Sequence, residues 1–268
     1  TASIFVLGIS SWYLLKKRDR GFALRSFRIA AAFGLASALS VMGLGDESGY
    51  SAAESQQAKM ATMEAMWKTE PAPAGLTLFG IPDEATRTTA AEIRIPYVLG
   101  LIGTRTVDKT IPGIDEIEKT TAARIERGIQ AVKALEALRL DPKNADKLAS
   151  FTAVKADLGH GLLLKKYIDD VAQATPEMKA SAVDDAIPRV APLFWTFRAM
   201  VLIAGLMLAL MAVAFWSSVR NRIESRPWLL KWALWSIPLP WVACEMGWFV
   251  AEYGRQPWTV QGMLPTHL

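Results

Sequence analysis

Histidine and cysteine are nearly missing from this chain: His160, His267 and Cys244 are all that 268 residues contain. Two histidines exclude a His-rich metal centre built from this chain alone. A single cysteine, set inside an apolar segment, excludes a disulfide framework for the long polar middle section. Also absent are a Gly-rich phosphate loop, an HExxH zinc helix and a GxSxG elbow, together with any internal repeat or low-complexity tract. Charge is missing throughout Ala199–Val219, 21 residues that make about 31 Å of helix, enough to cross a bilayer.

What is present is apolar: 51% hydrophobic residues, 10 Trp and a mean hydropathy of +0.20. Four segments carry it, Thr1–Leu15, Ile29–Gly45, Ala199–Val219 and Trp232–Ala251. The first starts at residue 1 without a signal-peptide n-region, so the chain is expected to begin part-way along a membrane helix. Lys16, Lys17, Arg18, Arg20, Arg25 and Arg28 follow the first segment, and Arg220, Arg222, Arg226 and Lys231 link the third to the fourth. The positive-inside rule puts both short loops in the cytoplasm. Residues 46–197 hold 18 basic and 22 acidic side chains, a net of −4, and the remainder holds 12 and 4, a net of +8. The pI of 9.2 therefore reflects topology, and nucleic-acid binding is a poor explanation of it.

Three divisions follow: two transmembrane helices and their basic turn over 1–45, an extracytoplasmic loop over 46–191, and two further transmembrane helices with an outer C-terminal segment over 192–268. The expected fold is all-α, a polytopic helical membrane protein with a long, largely helical outer loop. The second segment should end at GDESGY, Gly45–Tyr50. Ser51–Lys68 reads as a helix with Met60, Met63 and Trp67 on one face, broken by Pro71–Gly75. The apolar runs Leu76–Pro82 and Ile93–Ile102 read as loops against the membrane surface. Ile114–Leu140 is the clearest soluble helix, with Ile117, Ile125, Ile129, Val132, Leu135 and Leu138 as its stripe and Asp141-Pro142 as its stop. After it come Gly159-His160-Gly161 and a last element near Thr175–Ala186.

The fourth segment holds an acid where hydrocarbon is expected. Glu245 lies inside an apolar run of twenty residues, and an intramembrane carboxylate reads by default as functional and facing protein. Trp241, Glu245, Trp248 and Glu252 are spaced by four, three and four and share a helical face. Gly254 and Pro257 end that helix. A buried acid hydrogen-bonded to a neighbouring helix is the plainer reading of Glu245. A transporter, a receptor or a redox enzyme all remain open at this point.

Several motifs narrow this. GRQPW (Gly254–Trp258), GDESGY (Gly45–Tyr50), FGIPD (Phe79–Asp83) and IPRVAPL (Ile187–Leu193) resemble, in this order along the protein's own chain apart from the first, subunit I of the cytochrome bd quinol oxidases. The resemblance spans essentially the whole chain and corresponds to the later part of that subunit, with a loop of the long quinol-loop subfamily. It implies an all-helical terminal oxidase of the bacterial inner membrane, with residues 46–191 on the periplasmic side. Such an oxidase takes electrons from ubiquinol or menaquinol and reduces dioxygen to water. It also implies a low-spin haem b (b558), a high-spin haem b (b595) and haem d, a partner subunit II and small accessory subunits.

Residue by residue, the resemblance implies Met200, in FRAM, as the thioether ligand of the low-spin haem iron, with Arg198 beside it. Thioether ligation raises a haem potential, and the partner imidazole is expected upstream of Thr1. WVACE implies Glu245 as the ligand of the high-spin haem, with Trp241 one turn earlier beside the cofactors. Glu252 and Arg255 are expected to pair with each other or with haem propionates. AKMATME, Ala58–Glu64, implies Lys59 and Glu64 as the polar pair of quinol oxidation. A spacing of five sets them about 140° apart on an ideal helix, so no mutual bridge forms; a surface contact of Glu64 with Lys68 is the plainer alternative. Asp46 and Glu47 are possible proton exits. From another class, a non-redox secondary transporter with Glu245 as coupling carboxylate is the rival, and haem bands in an optical spectrum discriminate the two.

Overall fold

The computed structural model describes residues 1–106 and 108–268. In chain order it runs α1 (Ala2–Leu15), α2 (Arg20–Ser55), α3 (Gln57–Met63), β1 (Leu76–Asp83), β2 (Thr88–Ile95), α4 (Val98–Thr104) and α5 (Ile114–Leu140). It continues through α6 (Ala145–Val154), α7 (Leu158–Leu162), α8 (Pro176–Asp185), α9 (Val190–Val219), α10 (Pro227–Trp235), α11 (Leu239–Tyr253), β3 (Trp258–Val260) and β4 (Leu264–Pro265). Two compact units result: Thr1–Ser48 with Trp195–Val250, and Gly49–Phe194 with Ala251–Leu268. The fold is mostly helical. The all-α expectation is corrected by two small antiparallel hairpins, β1–β2 and β3–β4.

The first unit is built by close approach of small residues. Leu7, Phe27, Leu210 and Leu229 are fully buried among Ala30, Ala31, Ala214 and Ala233, a composition that lets apolar helices touch backbone to backbone where water gives no drive. Gly34 faces the Met211 sulfur, which stands 2.5 Å from where a Cβ would sit. Arg20 of α2 forks onto Glu224 at 2.6 Å, and Arg28 donates to Asn221 at 2.9 Å. Both basic loops thus lie at one end of this unit. The outward faces of α2 and α9 carry exposed Ile29, Phe33, Val201 and Leu202, side chains suited to lipid or to further helices. Among the described residues two helices are long and apolar enough to span a membrane, α2 and the one ending at Val219.

Two membrane-segment expectations change. α2 does not stop at GDESGY but continues to Ser55. No proline intervenes, and Ser48 and Tyr50 bond one turn along, to Leu44 and Glu54. The stretch Trp232–Ala251 is not one helix. α10 ends at Trp235 and α11 begins at Leu239, because Pro238 and Pro240 remove amide donors and restrict the residues before them.

The second unit is organised on α5, whose bounds coincide with those expected and whose C-cap is Asp141. Asp115 and Glu116 in its first turn and Arg139 in its last complement the helix dipole. Ile125, Ile129 and Val132 pack against Leu163, Leu164, Val171, Ala182 and Trp258. Asp157 receives Arg124 at 2.7 Å and Arg127 at 2.6 Å, and both guanidiniums hold its carboxyl below the usual range against the opposing effect of burial. The expected helix Ser51–Lys68 is corrected to the end of α2 and the short α3. Met60 and Met63 are buried, while Trp67 lies past the helix and donates to Thr89 at 3.0 Å.

The runs expected as surface loops are also corrected: they form the β1–β2 hairpin and α4. Leu78, Ile81 and Ile93 point outward while Thr77 and Gly80 are buried. Apolar residues are therefore on the exposed side of this ribbon, the reverse of a half-buried strand in a soluble protein.

Candidate functional site

The sequence-predicted residues fall into three places. The first is α11, which does carry Trp241, Glu245, Trp248 and Glu252 on one helix. That face is open: Trp241 is 48% and Trp248 63% exposed, and Glu245 is exposed with them. Trp241 meets Phe5 of α1 edge-on at 6.4 Å. Met200 of α9 approaches the same helix elsewhere. Its Sδ lies 3.2 Å from the position a Cβ on Gly247 would take, so the glycine makes room for the thioether. Gly247 is two residues beyond Glu245, about 200° around the helix. The sulfur and the carboxylate are therefore presented on different sides of α11, a disposition that serves two separate groups better than one. Arg198, half-buried, has its guanidinium 5.6 Å from the Phe197 ring.

The second place is the start of the C-terminal segment. Arg255 pairs with Glu252 one turn back and donates to Thr259 O at 3.3 Å. Its Nε is buried and has no hydrogen-bond partner among the described residues. Lys59 of α3 is half-buried in the same unit. Burial and then the Arg255 charge hold its ammonium below the usual lysine range, and Glu252 opposes them. Of the site residues expected from the sequence, Lys59, Glu252 and Arg255 thus feel one another.

Glu64 is the third. It caps the C-terminal end of α3, is 2% exposed, and accepts the Thr77 amide of β1 at 3.2 Å. Thr77 Oγ1 donates to Glu92 at 2.9 Å, and the Arg94 guanidinium, forked onto Glu70 from 2.6 Å, is raised in part by the Glu64 charge. The surface contact of Glu64 with Lys68 is overturned: α3 has ended before Lys68, which is exposed, whereas Glu64 is buried. Lys59 looks toward Arg255 and Glu252, Glu64 toward the hairpin. The two are on one short helix but are not brought into mutual contact by it.

One feature had only a faint sequence signal, the glycines around His160. A Cβ on Gly161 would stand 2.2 Å from Gly128 O, and one on Gly159 would stand 2.2 Å from Gly262 O. No side chain fits at either position, and the two approaches lock α7 between α5 and the C-terminal hairpin. His160 is left 6% exposed, 5.1 Å from the Trp258 ring. Burial, with Arg124 and Arg127 and against Asp157, lowers its pKa to about 4. It borders a cavity of about 480 Å³ whose walls also include Ala58, Thr121, Arg124, Trp258 and Gln261. Among the described residues no group of three or more His, Cys, Asp and Glu is placed to hold a metal ion.

Apolar spans with an acidic, indole-lined helix, joined in one chain to a charged helical unit, define a helical membrane-type protein. Comparison with known proteins makes the class specific. The chain belongs to the family of cytochrome bd terminal oxidase subunit I, whose model matches residues 1–268. It is 40% identical over 267 residues to cytochrome bd-II ubiquinol oxidase subunit 1 of Escherichia coli strain K12, covering 100% of this chain and 52% of that one. It is 28% identical over 267 residues to cytochrome bd ubiquinol oxidase subunit 1 of Bacillus subtilis strain 168, covering 99% and 45%. The chain spans about half the length of these curated relatives.

Proposed function

We propose that this chain is the quinol-oxidising part of a respiratory terminal oxidase, acting at the outer face of a bacterial inner membrane. Family membership over all 268 residues supports the oxidase reading over a transporter. The observation that carries the assignment of chemistry is a carboxylate only 2% exposed, Glu64, outside both candidate membrane spans. Glu64 accepts a proton from one quinol hydroxyl, and Lys59, whose ammonium is easily deprotonated for a lysine, hydrogen-bonds the second oxygen.

The residues present fit haem in part. Met200 offers a thioether over a glycine, and Arg255 Nε, buried and unpartnered, suits an anionic propionate. The open indole face of α11 gives a flat apolar surface beside Glu245. Neither histidine is on a membrane helix, so an imidazole facing Met200 is not supplied by those helices. In this reading Met200 would hold the low-spin haem b, Glu245 would hold the high-spin haem b, Trp241 and Arg198 would line them, and Arg255 would offer its charge to a propionate. Haem d, subunit II and any accessory subunit complete the assembly. When bound, the haems supply the one-electron steps between quinol and dioxygen.

The test is a paired assay on the complete oxidase: respiration driven by quinol, and respiration driven by an artificial donor that bypasses the quinol site. Lys59→Ala is expected to impair the first and spare the second, with haem spectra intact. Equal loss in both assays, or no loss in either, removes Lys59 from the quinol site.

A further inference from the structure

Two residues that line the cavity beside His160 carry buried polar atoms left unsatisfied by the described residues. His160 Nδ1 and Gln261 Oε1 are buried and have no hydrogen-bond partner among the described residues, and an orphaned buried acceptor is costly unless something bonds to it. Two of the wall's donor side chains are engaged elsewhere: Arg124 Nε goes to Asp157, its Nη2 to Ala156 O, and Thr120 Oγ1 to Glu116 O. At about 480 Å³ the space greatly exceeds what one water needs, and polar walls keep such a space wet. Its wall includes Ala58, the residue before Lys59, and its rim includes exposed Glu54, Glu116 and Thr120.

We propose that this cavity is a water-filled outlet by which protons released in quinol oxidation leave the Lys59 side of the site, with His160 as the positioning residue of its water chain. The inference rests on the quinol reading given above. The balance is simple: quinol loses two electrons to haem iron and two protons, becoming quinone, and the outlet carries protons only. His160 receives a water O–H at Nδ1 as a neutral imidazole, held in place by the Gly128–Gly161 and Gly159–Gly262 approaches and by Trp258. Gln261 receives a second O–H at Oε1.

The experiment is stopped-flow mixing of the complete oxidase with a limiting pulse of short-chain quinol in weak buffer. A pH-sensitive dye follows proton appearance and absorbance follows haem reduction. His160→Phe keeps the ring and removes the acceptor; His160→Asn keeps an acceptor near the Nδ1 position; Thr121→Leu fills space from α5. Expected are a severalfold delay of proton appearance behind haem reduction in His160→Phe and Thr121→Leu, and restoration in His160→Asn, with KM for quinol unchanged. No delay in folded His160→Phe and Thr121→Leu overturns the proposal. So does a packing pattern, in which Phe is tolerated and Asn is not, or a changed KM without delay, which would make the cavity part of the quinol site. Should His160→Phe fail to assemble, Thr121→Leu decides. Normal quinol oxidation in Lys59 and Glu64 variants would instead sink the underlying reading, and is scored separately from the delay.

Discussion

Glu64 offers the sharpest test, because its burial makes a simple truncation ambiguous. Glu64→Ala takes the acceptor from the Thr77 amide at a site 2% exposed, at about 1–3 kcal/mol. It also removes one buried methylene, about 0.8 kcal/mol. Together these reach roughly 2 to 4 kcal/mol, enough to loosen the start of β1 and to lower quinol oxidation for structural reasons alone. Glu64→Gln separates the effects. The amide oxygen still accepts from Thr77, and exchanging a charged acceptor for a neutral one costs about 1 kcal/mol, while Arg94 keeps Glu70. Removal of a general base costs about 10² to 10⁴ in rate. Both variants should therefore lose quinol-driven respiration by roughly a hundredfold or more, but only Glu64→Ala should open the hairpin to protease in the assembled oxidase. If Glu64→Gln respires on quinol like the parent while Glu64→Ala fails, the carboxylate is a strut for the hairpin and the proton acceptor is another residue.

Four further outcomes follow from the geometry. Met200→Leu should weaken the reduced low-spin haem band and leave the high-spin signals; an unchanged spectrum and midpoint potential removes the sulfur from the iron. Glu245→Gln should perturb the high-spin haem more than Glu252→Gln does, read from the two optical spectra; the reverse order would move the ligand two turns along α11, to the acid now paired with Arg255. Gly128→Ala, whose new Cβ would stand 2.2 Å from Gly161 N, should destabilise the loop unit by about 1–3 kcal/mol or more, whereas Gly43→Ala, with nothing within 4 Å, should not; equal protease resistance of the two contradicts the tight α5–α7 approach. His160, with its pKa lowered from 6.5 to about 4, stays neutral in the fold while the unfolded chain takes up a proton. Stability should be full above pH 6.5, fall by about 3 kcal/mol as pH drops toward 4 and level off below; an acid profile of loop proteolysis identical in His160→Asn contradicts this.

The elements that sequence made legible were those whose pattern and punctuation agree. α5 has an unbroken 3.6-residue stripe, acids in its first turn and Asp141-Pro142 after its last, and its bounds coincide with expectation. Trp232–Ala251 was misjudged because hydropathy sees length and composition, whereas Pro238 and Pro240 act through the backbone and divide it. The β1–β2 hairpin escaped because its apolar side chains, Leu78, Ile81 and Ile93, face outward, and its register shifts twice between Thr77 and Ile81, which erases a clean period of two. Glu64 and Lys59 could be named as candidates from a motif, but not their separate surroundings: Thr77, Arg94, Glu252 and Arg255 come from distant positions in the chain. The importance of Gly159 and Gly161 was likewise hidden, since it lies in what approaches them, Gly262 and Gly128.

In the quinol reading proposed above, the separate surroundings of Lys59 and Glu64 give one short helix two distinct groups for a two-proton oxidation. A buried carboxylate and a depressed ammonium would, if adjacent, form an ion pair and lose the proton affinities that make them useful. α3 prevents this by direction: Glu64 closes its C-terminal end against β1, while Lys59, about 140° away, is turned to Arg255 and Glu252. Each group is then tuned by its own neighbours. Arg94 stands near Glu64 and is itself tied to Glu70, its nearest carboxylate partner. Arg255 weakens the hold of Lys59 on its proton, and Glu252 limits how far. Substitution at Arg255 should accordingly change the Lys59 side of the quinol reaction as well as any propionate it holds, whereas substitution at Arg94 should act on Glu64 alone.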